Sequence, residues 1–76
     1  MSPYLPQVRA KELVRIARRL GFQLDRQKGS HAVYYRASDK ARVVIPVHAG
    51  EDIKPKTLHG IIEDMGITPE QFKELL

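Results

Sequence analysis

Between Phe22 and Val47 the chain holds three runs of strand-forming residues separated by only two short breaks, and no other feature restricts its fold as much. Phe22-Gln23-Leu24-Asp25 alternates apolar and polar, as a half-buried strand over 22–27 would, and Lys28-Gly29-Ser30 interrupts it. His31 to Arg36 follows, rich in Val33, Tyr34 and Tyr35, and Ser38-Asp39-Lys40 has the composition of a turn. Arg42 to Val47, centred on Val43-Val44-Ile45, is the third run, and Pro46 falls where a missing N–H is tolerated, near a strand end. Parallel neighbours need a crossover of roughly a dozen residues or more, so strands joined this tightly can only turn back on themselves. An antiparallel meander is expected.

Helical periodicity brackets the meander. Leu13, Ile16, Ala17 and Leu20 recur at i, i+3, i+4 and i+7, which predicts an amphipathic helix over 9–20 stopped by Gly21. After a loop at His48-Ala49-Gly50-Glu51-Asp52, Pro55 suits a first helical turn, and Leu58, Ile61, Ile62 and Met65 repeat the pattern up to Gly66. Thr68-Pro69-Glu70-Gln71 reads as a capping box opening a last short helix through Phe72, Leu75 and Leu76. The predicted class is α+β: helix, three-stranded antiparallel sheet, helix, short C-terminal helix, with one sheet face covered and the other free.

Seventy-six residues without a repeat or linker are expected to form one domain, residues 1–76, with little room for a deep enclosed site. The absence of cysteine removes disulfides, thiolate metal sites and thiol nucleophiles. No apolar run reaches the roughly 20 residues that span a bilayer, and no signal-like segment opens the sequence, so a cytoplasmic protein without membrane contact is the expectation.

Charge is unevenly placed. Thirteen Lys and Arg against nine Asp and Glu leave a formal +4, and six of the acids lie from Glu51 onward. Between Arg15 and Arg42 the only acids are Asp25 and Asp39, among Arg15, Arg18, Arg19, Arg26, Lys28, Arg36, Lys40 and Arg42. The first half is therefore the half expected to face a polyanion such as RNA. The helix arginines also suit a simple solvated face.

His31 is the residue with the most chemical promise. It opens the second strand directly after Gly29-Ser30, where glycine permits a close backbone approach and N–H groups can hold an anion. An imidazole beside Arg26 and Lys28 combines a proton carrier active near neutrality with cations for phosphoryl charge, which is what phosphodiester cleavage needs. In RNA the 2′-OH supplies the nucleophile, so one histidine without metal or other cofactor suffices. The plain alternative is a polar strand-end histidine. His48, at the end of the third strand, is a possible supporting proton carrier or a strand cap, and its distance from His31 depends on register. His59 falls off the apolar helical face, toward solvent. Histidine and carboxylate spacings offer no metal set, and Ser30 beside His31 points the other way in an extended strand. Tyr34 and Tyr35 can stack on bases, although one of two adjacent strand residues must enter the core.

Gln27-Lys28-Gly29-Ser30-His31, then Ile45-Pro46-Val47-His48-Ala49-Gly50, Ile53-Lys54-Pro55 and Thr57-Leu58 resemble the HicA family of small messenger-RNA interferase toxins. Lys11-Glu12-Leu13, Leu20-Gly21-Phe22 and Gly66-Ile67-Thr68 with Phe72 extend the resemblance over nearly the whole chain. It implies a fold similar to the double-stranded-RNA-binding domain and a metal-independent endoribonuclease activity that arrests translation. It also implies a HicB-type antitoxin partner that covers the site. The catalytic histidine of the family's Gly-Ser-His motif carries over to His31, with Gly29 and Ser30 as its setting and Lys28 as a phosphate contact. Two departures from the family pattern stand out: Arg9-Ala10 before Lys11-Glu12-Leu13, and Lys56 within Pro55-Lys56-Thr57. Neither touches His31.

Three readings of function compete. The first is an mRNA endonuclease with His31 as general acid or base, Arg26 and Lys28 on phosphate, and Arg36 as a further substrate contact. The second is a non-catalytic RNA-binding module of the same fold, because shape and phosphate contacts require no histidine. The third is a protein-interaction subunit whose basic face meets an acidic partner.

Overall fold

The computed structural model describes residues 5–48 and 50–76. Residues 1–4, and Ala49 in the loop expected after the third strand, lie outside the described residues. The elements are α1 (Ala10–Arg19), β1 (Gln23–Lys28), β2 (His31–Arg36), β3 (Ala41–Pro46), α2 (Pro55–Met65) and α3 (Pro69–Leu75). The sheet is an antiparallel meander in the order β1-β2-β3, so the expected α+β architecture is the one observed.

Local chemistry explains the helix limits. Arg9 at the α1 N-cap has a guanidinium that cannot accept a hydrogen bond, so only half of a capping box forms, with the Arg9 backbone N–H donating to the Glu12 carboxylate at 2.6 Å. At the other end the Gly21 N–H donates to the Arg18 carbonyl and the Phe22 N–H to the Ala17 carbonyl, a Schellman closure that needs the left-handed φ of +94° at Gly21. For α3 the box is complete: the Gln71 N–H donates to the Thr68 hydroxyl and the Thr68 N–H to the Gln71 side chain.

One core lies between the helices and one face of the sheet. Leu13, Ile16 and Ala17 of α1 and Leu58, Ile61, Ile62 and Met65 of α2 close over Ala32, Tyr34, Val43 and Ile45, and Phe22 and Phe72 are fully enclosed. Alternation along β2 and β3 sends the remaining residues to the opposite face, where Val44 is 43% exposed. Among the described residues no helix covers that side.

The first strand differs from expectation. Every residue of β1 is exposed, including Leu24 at 48%, and the buried Phe22 precedes the strand. Register explains the difference. Leu24 pairs with Tyr34 but Arg26 pairs with Val33, so Asp25 is an extra residue, a β-bulge. Strict alternation would put Leu24, Arg26 and Lys28 on one face. The bulge instead leaves Leu24 on the helix side and turns Arg26 and Lys28 to the open side.

Candidate active site on the open sheet face

Facing residues across an antiparallel pair share a face of the sheet. Lys28 pairs with His31 and Arg26 with Val33, while on the other side His31 pairs with Pro46 and Val33 with Val44. His31, Lys28, Arg26 and Val33 line one shallow surface depression. Its wall is cationic, and its floor, Val33, is apolar.

The connection that creates this end of the sheet is two residues long. Gly29 takes a φ of +59°, as the first central residue of a type II′ hairpin turn requires, and there is open space around it. The Gln27 side-chain amide donates to the Gly29 carbonyl at 3.2 Å. The Ser30 carbonyl accepts from the Val47 N–H at 2.6 Å, which extends the β2/β3 ladder past His31 and holds the strand end. The imidazole is thus presented by backbone that is fixed on both sides, and it is itself exposed.

The remaining sequence-predicted positions are not brought to this depression. Arg36 ends β2 five residues beyond His31, about 16 Å along the strand at about 3.3 Å per residue. Its guanidinium is engaged within the fold: Nε and Nη2 donate to the two Asp39 carboxylate oxygens at 2.9 and 2.8 Å, Nη1 donates to the Leu20 carbonyl at 2.9 Å, and the group lies 4.4 Å above the Phe22 ring. The pairing raises the Arg36 pKa and holds the Asp39 carboxyl below its ordinary value, in each case chiefly through the side-chain hydrogen bond. These contacts tie the β2/β3 turn to the end of α1.

His48 lies two residues past Pro46, and its carbonyl accepts from the Glu51 N–H at 3.2 Å. It is exposed and borders depressions formed with Glu51–Thr57 and with the start of α1, whereas His31 lines the depression with Arg26 and Lys28. His59 is exposed on α2, as its place off the apolar stripe predicts. Of the two tyrosines, Tyr34 is 4% exposed in the core and Tyr35 is on the open face. There Arg42, a cation whose role the sequence did not single out, places its guanidinium 5.5 Å from the Tyr35 ring centroid. Strand parity across the Asp39 turn was the signal for that pair. Among the described residues no helix is long and apolar enough to cross a membrane.

Fold and face define a small α+β domain with a cationic, histidine-bearing open sheet. The family description "HicA toxin of bacterial toxin-antitoxin" matches residues 10–67, from the first residue of α1 to just past the end of α2. The chain belongs to the HicA toxin family, and membership in that family implies a toxin with a cognate antitoxin. No curated protein matches it.

Proposed function

We propose that this chain is an endoribonuclease that cuts messenger RNA without a metal ion, with His31 moving the proton. The observation that carries the reading is the direct opposition of Lys28 and His31 on a solvent-exposed face, with Arg26 two positions along on the same side. In the reaction the 2′-oxygen forms a bond to phosphorus as the bond from phosphorus to the 5′-oxygen breaks. One proton leaves the 2′-OH and one reaches the 5′-oxygen, giving a cyclic phosphate and a free 5′-OH. His31 acts as general base or general acid in that exchange. Lys28 and Arg26 place positive charge beside the phosphoryl oxygens, where negative charge grows in the transition state. Gly29 and Ser30 set the turn that aligns Lys28 with His31.

An antitoxin of the HicB type would silence such a face by covering it, since His31 is exposed to solvent. Cleavage of a mixed-sequence single-stranded RNA in EDTA by the wild type and by His31→Ala, both checked for folding, tests the proposal. Cutting by the wild type alone, with cyclic-phosphate ends, is the expected result. Equal cutting by both proteins removes His31 from the chemistry. Binding by both without cutting makes the chain an RNA-binding module.

A further inference from the structure

The other end of the open face is unused by the chemistry proposed above. Tyr35 stands on the same strand and face as His31, four residues on, about 13 Å away at about 3.3 Å per residue. Gln23 and Arg42 are its partners across the two ladders, and Arg42 lies against its ring. Tyr35 also lines a depression of about 470 Å³ at this end of the sheet, together with Gln23, Asp25 and Ser38, and the same depression reaches round to Leu20 and Leu24 on the helix side. Arg36, also in that lining, joins the Leu20 carbonyl to Asp39 and so fixes the two chain segments that bound the depression.

Asp25 is the informative member. It is the only acid of the exposed β1 strand, and it is the bulged residue, re-aimed by a break in the ladder. Among the described residues no cation lies within ion-pair distance of its carboxylate. A carboxylate repels phosphate, so a surface made only to track a nucleic-acid backbone gains nothing from it. A carboxylate does accept from the exocyclic amine of a base, the Gln23 amide and Ser38 hydroxyl can both donate and accept, and an aromatic ring beside a guanidinium is a stacking platform.

We propose that this depression is a nucleobase subsite of single-stranded RNA: Tyr35 with Arg42 stacks the base, and Asp25, Gln23 and Ser38 read its edge. The proposal rests on the ribonuclease reading for its substrate class. A strand whose reactive phosphate sits at Lys28 and His31 places a base a few nucleotides away at Tyr35. Asp25 favours bases bearing an exocyclic amine over uracil, so the subsite contributes sequence preference that the phosphate contacts cannot supply.

The test is an NMR titration of the full chain carrying His31→Ala, which leaves RNA uncut, with hexameric oligo(C), oligo(A) and oligo(U). Shifts at Gln23, Asp25, Tyr35 and Ser38 are expected, with oligo(U) the weakest ligand. Tyr35→Leu should weaken oligo(C) binding roughly ten- to a hundredfold, the range of one base-aromatic stack, and Tyr35→Phe should keep most of it. In the cleaving protein Tyr35→Leu should raise KM far more than it lowers kcat. If Tyr35→Leu does not fold, Asp25→Asn decides, since loss of the preference against oligo(U) supports the subsite and an unchanged preference overturns it. Shifts confined to the Lys28 and His31 end, or unaltered binding by Tyr35→Leu, also overturn it. Cleavage that needs His31 but ignores Tyr35 and Asp25 sinks the subsite alone, whereas failure of all three RNAs to bind sinks the ribonuclease reading with it.

Discussion

Lys28 and His31 are paired across the tightest hairpin of the sheet, and both belong to its uncovered face. A cation one cross-strand step from an imidazole lowers the energy of an anion placed between them, and because both are exposed, the pairing adds little to stability and, under the proposed function, serves RNA contact. Lys28→Ala should therefore leave folding stability within about 0.5 kcal/mol. RNA affinity should fall at low salt, and the slope of log affinity against log salt should shrink by about 0.7, the value for one phosphate contact on a single strand. Binding measured across a salt series checks this, and an unchanged slope would mean Lys28 touches no phosphate.

The turn beneath that pair is the second point of control. A Cβ on Gly29 would meet nothing within 4 Å, so Gly29→Ala isolates the cost of a non-glycine residue at a φ of +59°. That cost is about 1–2 kcal/mol, enough to lower the melting temperature of so small a domain by several degrees. RNA cleavage at a temperature where the variant is still folded should drop further than the folded fraction does, because the same turn aligns Lys28 with His31. Thermal melts paired with cleavage rates separate the two effects.

The meander, both long helices and their stops were legible because each rests on local rules: apolar spacing, turn residues, a glycine after the last helical residue. The place of His31 at the head of the second strand, next to the turn and its basic neighbours, was legible in the same way. The bulge at Asp25 was not. Alternation from Phe22 through Leu24 predicted a half-buried strand, and only the pairing with β2 reveals the extra residue that moves Arg26 and Lys28 to the open side. The setting of Arg36 was hidden for a related reason. A basic residue on a strand near a histidine reads as a ligand contact, yet Asp39, three residues on across the turn, captures two of its donors. Which of Tyr34 and Tyr35 entered the core likewise waited on register.

The last helix lies beyond the residues matched to the family, yet it completes the core. Phe72 of α3 is fully buried, and its neighbours in the core include side chains of α2. Removing a buried phenylalanine costs about 3–5 kcal/mol, a large share of the stability of a small domain. Phe72→Ala should be partly unfolded at 37 °C and should lose cooperative melting. A chain ending at Ile67 should behave the same way. Cooperative unfolding of either protein with little change in midpoint would show that α3 is dispensable.

The Arg36 and Asp39 pair gives stability a pH dependence with a definite sign. The Arg36 guanidinium holds the Asp39 carboxyl below its ordinary value, so the folded state binds that proton less readily than the unfolded state. The contribution is fully present above the ordinary carboxyl pKa of about 4 and fades as pH falls through the lower folded value. On the alkaline side the contribution persists until the guanidinium itself deprotonates, far above neutrality, because the same pair raises the Arg36 pKa. Asp39 is solvent-exposed, so the effect is small, but it is separable. Wild type should exceed Asp39→Asn in stability at neutral pH, and the two curves should converge in acid as the wild-type carboxyl protonates. The Asn side chain still accepts one hydrogen bond, which makes the neutral-pH gap a measure of charge and of the second donor. Urea midpoints taken from pH 7 down to pH 3 provide the check, and parallel curves over that range would mean that the ion pair contributes nothing to the fold.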